Sequence, residues 1–359
     1  VLGFFPGIFE RTNRKLLPPR KLLLYVTHRC NARCVMCNLW RTDQRDGLDG
    51  ELSIEELDHI FSDPLFAEVE HVDLNGGEPS LRKDTAGIAD LVIRKFPGLK
   101  HISMSSNGLL TEQLSLLVKD ILATALPAGI RVSTVLSIHG TGDVLEKVNG
   151  VKNAFGKITQ TVERLQAFQS SRFALSANCV LTDVNVLDAG HLIDWSRKAG
   201  VPIRFAIGEV RERFQNFDTA SRTLVGLDKR SDLIRFLREL SEDRRLFNLS
   251  AFRYRVLADM FEKGEPRVIS CHYRRGAAIL GPYGDMFYCP HSKALGNCRN
   301  QSAYEIYYGR ENQEYRTFEL MHDKCPSCPP YSFNRQELQR DFLKYFKFLL
   351  EPFWRKWPL

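Results

Sequence analysis

The amino-acid sequence predicts an α/β fold built on a parallel sheet that is either open or curled into a partial barrel. Six short β-branched or apolar runs alternate with amphipathic stretches between residues 21 and 207. Repeated βα order makes successive strands parallel, because each helix returns the chain to the same end of the sheet. The strand candidates are Lys21–Thr27, Val69–Leu74, His101–Ser105, Arg131–Ser137, Phe173–Leu181 and Ile203–Ile207. The helix candidates are Ser53–Asp63, Asp84–Phe96, Glu112–Ala125, Ala154–Gln169 and Leu187–Ala199.

Length and composition are those of an ordinary globular protein. The chain has 359 residues, of which 43% are hydrophobic and 26% are charged. This composition excludes a disordered or collagen-like chain, and the length corresponds to about two to three domains. No run of about 18 apolar residues is present, so no transmembrane helix is expected. The net charge of +7 is modest for the length, and we expect no nucleic-acid partner.

Cysteine usage indicates the compartment. The chain has nine cysteines, and its apolar start, interrupted by Pro6, lacks the basic region and cleavage site of a signal peptide. Nine cysteines without an export signal favour a reducing compartment and ligand or catalytic roles over a disulfide framework. We therefore expect a cytoplasmic protein.

Three cysteines follow the first predicted strand with the spacing C-x3-C-x2-C, namely Cys30, Cys34 and Cys37. Three thiolates from one loop can hold a four-iron cubane and leave one iron open to bind a small molecule. The alternative is a structural zinc loop with a fourth ligand such as His28, although zinc sites usually use a second pair of ligands at a distance.

This loop, placed after the first strand of a βα series, resembles that of the radical S-adenosylmethionine (SAM) superfamily. The resemblance implies that the three cysteines hold a [4Fe–4S] cluster whose open iron chelates SAM. It also implies reductive cleavage of SAM to a 5′-deoxyadenosyl radical that abstracts a substrate hydrogen. Gly76, Gly77 and Glu78 resemble the family's Gly-Gly-Glu motif, which holds the SAM amino group. Asn107 lies in a turn similar to the family's Thr-Asn-Gly turn near the cofactor.

Strand parity supplies further candidates, because alternate residues of a strand face the same side of the sheet. Polar residues on the fourth and fifth strands, Ser137, Ser176 and Asn178, should face the barrel interior and contact the SAM ribose or carboxylate, or else form local hydrogen bonds. Arg204 on the sixth strand could bind a carboxylate of SAM or substrate, or form a surface salt bridge. His139 could contact the substrate or cap its strand.

The distal cysteines form a second set with a hairpin glycine, Gly284, between the first two. The four candidate ligands are Cys271, Cys289, Cys325 and Cys328. Four cysteines from two segments suit a closed zinc or iron–sulfur site. The spacing resembles the twitch domain, a shortened SPASM domain of radical SAM enzymes, which implies a fully ligated auxiliary [4Fe–4S] cluster. Cys298 is excluded from this ligand set and is either a hydrogen-atom donor or a packed thiol.

The chain divides into five parts. The resemblance covers about residues 20–335 and implies a partial (β/α)6 barrel with a small C-terminal α+β iron–sulfur domain. The parts are an N-terminal extension at 1–20, the barrel at 21–215, a helical linker at 216–265, the auxiliary cluster domain at 266–333 and an amphipathic helix at 334–359. The last helix mixes aromatic and basic residues, so it either packs on the protein or makes peripheral membrane contact.

The resemblance implies a reaction such as dehydrogenation or epimerisation, and we expect a carbohydrate-like or other small polar substrate. Only about 29 residues precede Cys30, too few for the leader-binding domain found in many peptide-modifying enzymes of this type. The alternative is a maturase that modifies ribosomal peptides, and a second alternative is a non-enzymatic metal-binding regulatory protein. Both enzyme hypotheses require an electron donor such as flavodoxin or ferredoxin.

Overall fold

The computed structural model describes residues 16–44, 50–242, 248–329 and 341–356. Most of the predicted N-terminal extension, the first part of the predicted tail helix and residues 357–359 lie outside the described residues.

One nine-stranded sheet runs through the described residues in the order β6-β5-β4-β3-β2-β1-β7-β8-β9. The strands β1 to β9 are, in chain order, Lys21–Thr27, His71–Gly76, His101–Ser106, Arg131–Ser137, Phe173–Leu181, Ile203–Ile207, Ala277–Leu280, Asp285–Phe287 and Gly296–Asn297. β1 to β6 are the six predicted strands and are parallel, as expected for a partial barrel. β7 pairs in parallel with β1, whereas β8 and β9 are antiparallel additions. The predicted second domain therefore extends the sheet of the first.

Helices connect these strands and cover the outer face of the sheet. The helices α1 to α9 are Ile54–Phe61, Thr85–Lys95, Thr111–Ala125, Gly142–Asn149, Ala154–Gln166, Ala189–Ala199, Ala220–Thr223, Arg230–Leu240 and Leu249–Lys263. The helices α10 to α13 are Ala303–Tyr308, Arg310–Tyr315, Cys325–Ser327 and Phe342–Lys356, with a π-helical stretch, Arg316–Lys324, between α11 and α12. The capping box that starts α1 is formed as predicted: the Ser53 hydroxyl accepts from the backbone N–H of Glu56, and the Glu56 carboxylate accepts from that of Ser53.

The two faces of the sheet differ in polarity in the way that strand parity predicts. On β4, Val132, Thr134 and Leu136 are buried, whereas Ser133 and Ser137 on the other face are half-buried. The outward residues join the main hydrophobic core beneath the helices, and the inward residues leave a polar barrel interior. The interior can therefore bind a polar ligand, because its hydroxyl and amide groups are not needed for packing.

The segment predicted as a linker closes the edge of the barrel. Tyr254 and Arg253 of α9 satisfy the exposed edge of β6: the Tyr254 hydroxyl accepts from the N–H of Phe205 at 2.9 Å, and Arg253 donates to the Phe205 carbonyl at 2.8 Å. These contacts block further strand pairing at this edge. α9 is thus part of the barrel wall.

The tail helix α13 packs on α9 through one face. Tyr345 and Phe348 are buried and lie 5.5 and 5.3 Å, between ring centroids, from Phe252. Leu343 on the other face is 77% exposed. In the part of the chain that the structure describes, no helix has the length and apolar character needed to cross a bilayer.

Candidate cofactor and cluster sites

The first cysteine loop begins at the carboxyl end of β1 and is held from two sides. Backbone N–H groups of Arg33 and Val35 donate to the carbonyls of Asn149 and Val148, at 2.7 and 2.9 Å, at the end of α4. The side chain of Asn216 donates to the carbonyl of Met36 at 2.9 Å. The loop thus has a defined shape at the end of the sheet where ligands of parallel-sheet proteins bind.

The three thiols of this loop, those of Cys30, Cys34 and Cys37, are close enough to affect one another. Burial raises the pKa of Cys34 and, to about 11, that of Cys37, and the neighbouring thiols act in the same direction. Such thiols stay protonated at neutral pH unless a metal centre displaces the protons. The donor set fits a [4Fe–4S] cluster with one open iron.

The spacing of donor atoms argues against the zinc alternatives. A tetrahedral zinc with Zn–S bonds of about 2.3 Å holds its sulfur atoms about 3.8 Å apart. Within the described ranges, Glu209, His291 and Cys328 bring three donor atoms within 4.8 Å of one another, whereas no three cysteines do so. A cubane separates its cysteines more widely because each one binds a different iron. Both cysteine sets therefore fit a cluster better than a single zinc ion.

Gly76 and Gly77 allow the ends of β1 and β2 to approach each other. The N–H groups of Gly77 and Glu78 donate to the carbonyls of Thr27 and Arg29 at 2.7 and 2.8 Å. A Cβ on Gly77 would lie 2.2 Å from the Arg29 oxygen, and Gly76 has a φ of +147°. The glycines are needed here for a close approach of backbone to backbone.

Glu78 is fully buried, and its carboxylate is used inside the protein. One oxygen accepts hydrogen bonds from the Ser80 N–H, the Ser80 hydroxyl and the Ser106 hydroxyl at 3.2, 2.7 and 2.9 Å. The other accepts from the Asn107 N–H at 2.7 Å. Burial raises the pKa of Glu78, and these hydrogen bonds oppose the rise. In this structure the Glu78 carboxylate joins two loops, and its contact with the SAM amino group remains a prediction.

Asn107 connects this buried carboxylate to the first cysteine loop. Its side-chain amide donates to the Asn31 carbonyl oxygen at 2.7 Å and lies 3.7 Å from the Cys30 sulfur. The predicted Gly-Gly-Glu segment, the Asn107 turn and the cysteine loop are thus brought together at the ends of β1, β2 and β3.

The predicted interior residues of the later strands lie in register. Ser137 on β4 pairs with Asn178 on β5, which pairs with Arg204 on β6, so all three point to the same side of the sheet. Ser176 lies one pleat below Asn178 on the same face. The Arg204 side chain is exposed and forms no ion pair with another described residue.

His139 caps the barrel wall. It is buried, and its Nδ1 accepts from the N–H of Val180 at 3.1 Å while its carbonyl accepts from the Asn185 amide at 2.7 Å. Burial lowers the pKa of His139 to about 4, so the ring is neutral at pH 7. The observed contacts are those of a strand cap, and a contact with the substrate remains a prediction.

The four distal cysteines line one cavity. Gly284, with a φ of +95°, makes the turn between β7 and β8 as predicted, and this hairpin returns the chain so that the second cysteine meets the first. Burial raises the pKa of Cys289 to about 12. The cavity is lined by Cys271, Cys289, Cys325 and Cys328.

Cations surround this cavity in a way that fits an anionic cluster. Nε and Nη2 of Arg267 and Nε of Arg274 are buried and have no hydrogen-bond partner among the described residues. A cluster ligated by four thiolates carries net negative charge, which would compensate these buried cations.

Cys298 lies away from both cysteine sets. It is 6% exposed and lines a separate cleft against α1, beside His59 and Asp63. Burial raises the pKa of Cys298 to about 12, so the thiol is protonated. This location agrees with its exclusion from the ligand set. The hydrogen-atom donor role remains a prediction.

Two residues near the distal cysteines were missed in the sequence. Glu209, just after β6, has a carboxylate oxygen 3.2 Å from Nε2 of His291 and forms an ion pair with Arg211. Both Glu209 and His291 place a donor atom near the Cys328 sulfur. The sequence could have pointed to His291, because it lies two residues after Cys289. It could not have pointed to Glu209, which is about 80 residues distant from that cysteine.

Two protein families match this chain. Residues 24–195 match the radical SAM superfamily, and residues 271–329 match SPASM, an iron-sulfur cluster-binding domain. The first match contains the loop at the end of β1, and the second contains all four cysteines of the distal cavity.

Known proteins resemble the chain over much of its length. It is 26% identical over 289 residues to the mycofactocin maturase MftC of Mycobacterium tuberculosis, covering 79% of this chain and 68% of that protein. It is 30% identical over 182 residues to a probable GTP 3′,8-cyclase of Sulfurisphaera tokodaii, covering 50% of this chain and 53% of that protein.

Solved structures share the fold. SuiB of Streptococcus suis bound to the precursor peptide SuiA has a TM-score of 0.60 at 14% identity, covering 89% of this chain and 71% of that chain. anSMEcpe with bound AdoMet has a TM-score of 0.59 at 16% identity, covering 93% of this chain and 98% of that chain. These likenesses agree with a partial barrel followed by an iron–sulfur domain.

Proposed function

Because the chain belongs to the radical SAM superfamily and carries a SPASM-type iron–sulfur domain, we propose that it is a maturase that modifies a peptide. The observation that carries the proposal is the similarity to MftC, which extends over 79% of this chain. The fold shared with SuiB bound to the precursor peptide SuiA supports it. The proposal replaces the expected carbohydrate-like substrate, for which these similarities offer no support.

The enzyme uses SAM and two [4Fe–4S] clusters, and we assign the ligands as the sequence predicts. Cys30, Cys34 and Cys37 would hold the first cluster, which with SAM supplies the radical that abstracts a hydrogen atom from the substrate. The auxiliary cluster would use the four cysteines of the distal cavity. The protein's own task is to place the substrate and exclude water.

Residues at the ends of the barrel strands would position the substrate and SAM in the proposed site. Glu78 positions the Asn107 turn against the cysteine loop and acts through that turn. The layer of Ser137, Asn178 and Arg204 would hold polar groups of SAM or the peptide at the mouth of the barrel. A guanidinium in this layer suits a carboxylate, because it can donate two parallel hydrogen bonds.

The domain limits and the cell context belong to the same proposal. The barrel would extend from 21 to 215 and the auxiliary domain from 266 to 333, with α9 completing the barrel wall. The setting would be the cytoplasm, with flavodoxin or ferredoxin as the electron donor. The buried aromatic face of α13 supports packing on the protein as the main role of the tail helix.

A labelling experiment tests the peptide proposal. The reconstituted enzyme is incubated with SAM, a reductant and a perdeuterated short peptide encoded beside the gene, and the products are analysed by mass spectrometry. We expect deuterium in 5′-deoxyadenosine and a mass change in the peptide. A panel of sugars and sugar nucleotides is the comparison. Label transfer from one of these, with none from the peptide, would return the small-molecule hypothesis.

A further inference from the structure

Charged groups around the distal cavity are distributed unevenly. Apart from the four cysteines, its lining includes several basic residues, namely Arg267, Arg274, His291, Arg316 and Lys324. Glu209 is an acidic group near the Cys328 sulfur, and it is paired with Arg211 and His291. The surroundings of the auxiliary cluster are therefore predominantly cationic.

Arg267 has the most direct relation to the cysteines. Its backbone N–H donates to the Pro326 carbonyl at 2.7 Å, which fixes it beside the Cys325-Pro326-Ser327-Cys328 loop. Its guanidinium lines the cavity, and Nε and Nη2 are buried with no hydrogen-bond partner in the described ranges. Burial alone would lower the pKa of Arg267, but the negative charge of the nearby cysteines more than offsets this and raises it.

We propose that Arg267 raises the reduction potential of the auxiliary cluster and so adapts it to accept electrons. When the oxidised cluster takes up one electron, it and its four thiolates gain one further negative charge. A fixed guanidinium stabilises the reduced form more than the oxidised form, because the attraction grows with the charge. Water does not reach the guanidinium Nε and Nη2 atoms, so this attraction is weakly screened.

Glu209 provides the opposite electrostatic influence. Its carboxylate lies near the Cys328 sulfur. It forms an ion pair with Arg211 and lies 3.2 Å from Nε2 of His291, so it is placed as the negative partner of two basic groups. A negative charge here favours the oxidised cluster. Removing this charge should therefore raise the reduction potential. It also leaves the positive charges of Arg211 and His291 less compensated, which raises the potential further.

The test measures the potential of the auxiliary cluster alone. In a Cys30→Ala/Cys34→Ala/Cys37→Ala background only the auxiliary cluster remains, and dithionite titration followed by electron paramagnetic resonance gives its midpoint potential. Arg267→Gln should make one-electron reduction less favourable by roughly tenfold, which equals about 59 mV. Arg267→Lys keeps the charge and should stay close to the parent. Arg310→Gln is the matched control, because this arginine of the same domain is exposed and pairs with Glu314.

Glu209→Gln removes the opposing charge and should shift the potential upward. If Arg267→Gln fails to hold a cluster, Arg267→Lys decides, because a large shift with the positive charge kept would overturn the proposal. Opposite shifts in the two variants support an electrostatic effect, whereas general loosening of the site would move both in one direction. An unchanged potential in Arg267→Gln, or shifts of the same sign in both variants, would overturn the proposal. Because no peptide is present, the result is independent of the proposed substrate.

Discussion

The Glu78 carboxylate accepts a hydrogen bond from the backbone N–H of Asn107 at 2.7 Å, and the Asn107 side chain in turn lies 3.7 Å from the Cys30 sulfur. Glu78 is thus connected to the first cysteine loop through one intervening residue, Asn107. Two roles can be distinguished: direct contact with SAM requires an accessible carboxylate, whereas a positioning role requires the buried hydrogen bonds seen here.

Glu78→Gln should weaken SAM binding while both clusters still assemble. Losing a charge-assisted hydrogen bond costs on the order of 1.5–3 kcal/mol, or roughly 10–150-fold in affinity if the Asn107 turn shifts as a result. Isothermal titration with SAM under anaerobic conditions gives the affinity. Ser106→Ala is the informative partner, because Ser106 is 2% exposed and donates to the same carboxylate. Weakening in Glu78→Gln with no effect of Ser106→Ala would favour direct contact.

Iron content tests the two ligand sets. The reconstituted protein should contain about eight irons, and the Cys30→Ala/Cys34→Ala/Cys37→Ala variant about four, because each cluster holds four. The triple variant should form no 5′-deoxyadenosine from SAM. Continued cleavage of SAM by this variant would show that the first loop is not the SAM site.

The same iron assay distinguishes the cysteines of the distal cavity from Cys298. Cys325→Ala should lose or destabilise the auxiliary cluster, because it removes one of four ligands from a closed site. Cys298→Ala should keep about eight irons and normal product formation, since its buried thiol lines a cleft separate from the distal cavity. A Cys298→Ala enzyme that consumes substrate but cannot return a hydrogen atom to it would restore the donor role and favour epimerisation.

His139 should make the fold sensitive to acid. Burial lowers the pKa of His139 from 6.5 to about 4, so the unfolded chain binds the proton first as pH falls. The contribution of the neutral ring to the free energy of unfolding is fully present above pH 6.5 and is lost as the pH falls from 6.5 to about 4. By pH 5 the loss is about 2 kcal/mol.

His139→Asn should lack this loss, since an amide oxygen can accept from the Val180 N–H in place of Nδ1. Urea unfolding at pH 7 and pH 5 measures the difference between variant and parent. His322→Asn is the control because that ring is 84% exposed. Equal acid sensitivity in His139→Asn and the parent would show that His139 is not the group responsible.

Local chemistry made several elements predictable. The six parallel strands follow from alternating apolar and amphipathic runs, and the first helix from the Ser53–Glu56 capping box, because hydrophobic periodicity and caps act over a few residues. The two cysteine sets are likewise visible as spacings. The polar interior face follows from strand parity, since alternation along a strand is geometric.

Only the tertiary structure decided how distant segments combine. The parallel pairing of β7 with β1 joins residues more than 250 positions apart, and no local pattern encodes that partner. Burial of the Glu78 carboxylate depends on donors from Ser80, Ser106 and Asn107, two of which come from another strand end. The family resemblance predicted a cofactor role for Glu78, but its hydrogen bonds are visible only in the folded structure. The same holds for Arg267 and Glu209, because charge around a cavity is set by three-dimensional distance and burial, which residue order does not specify.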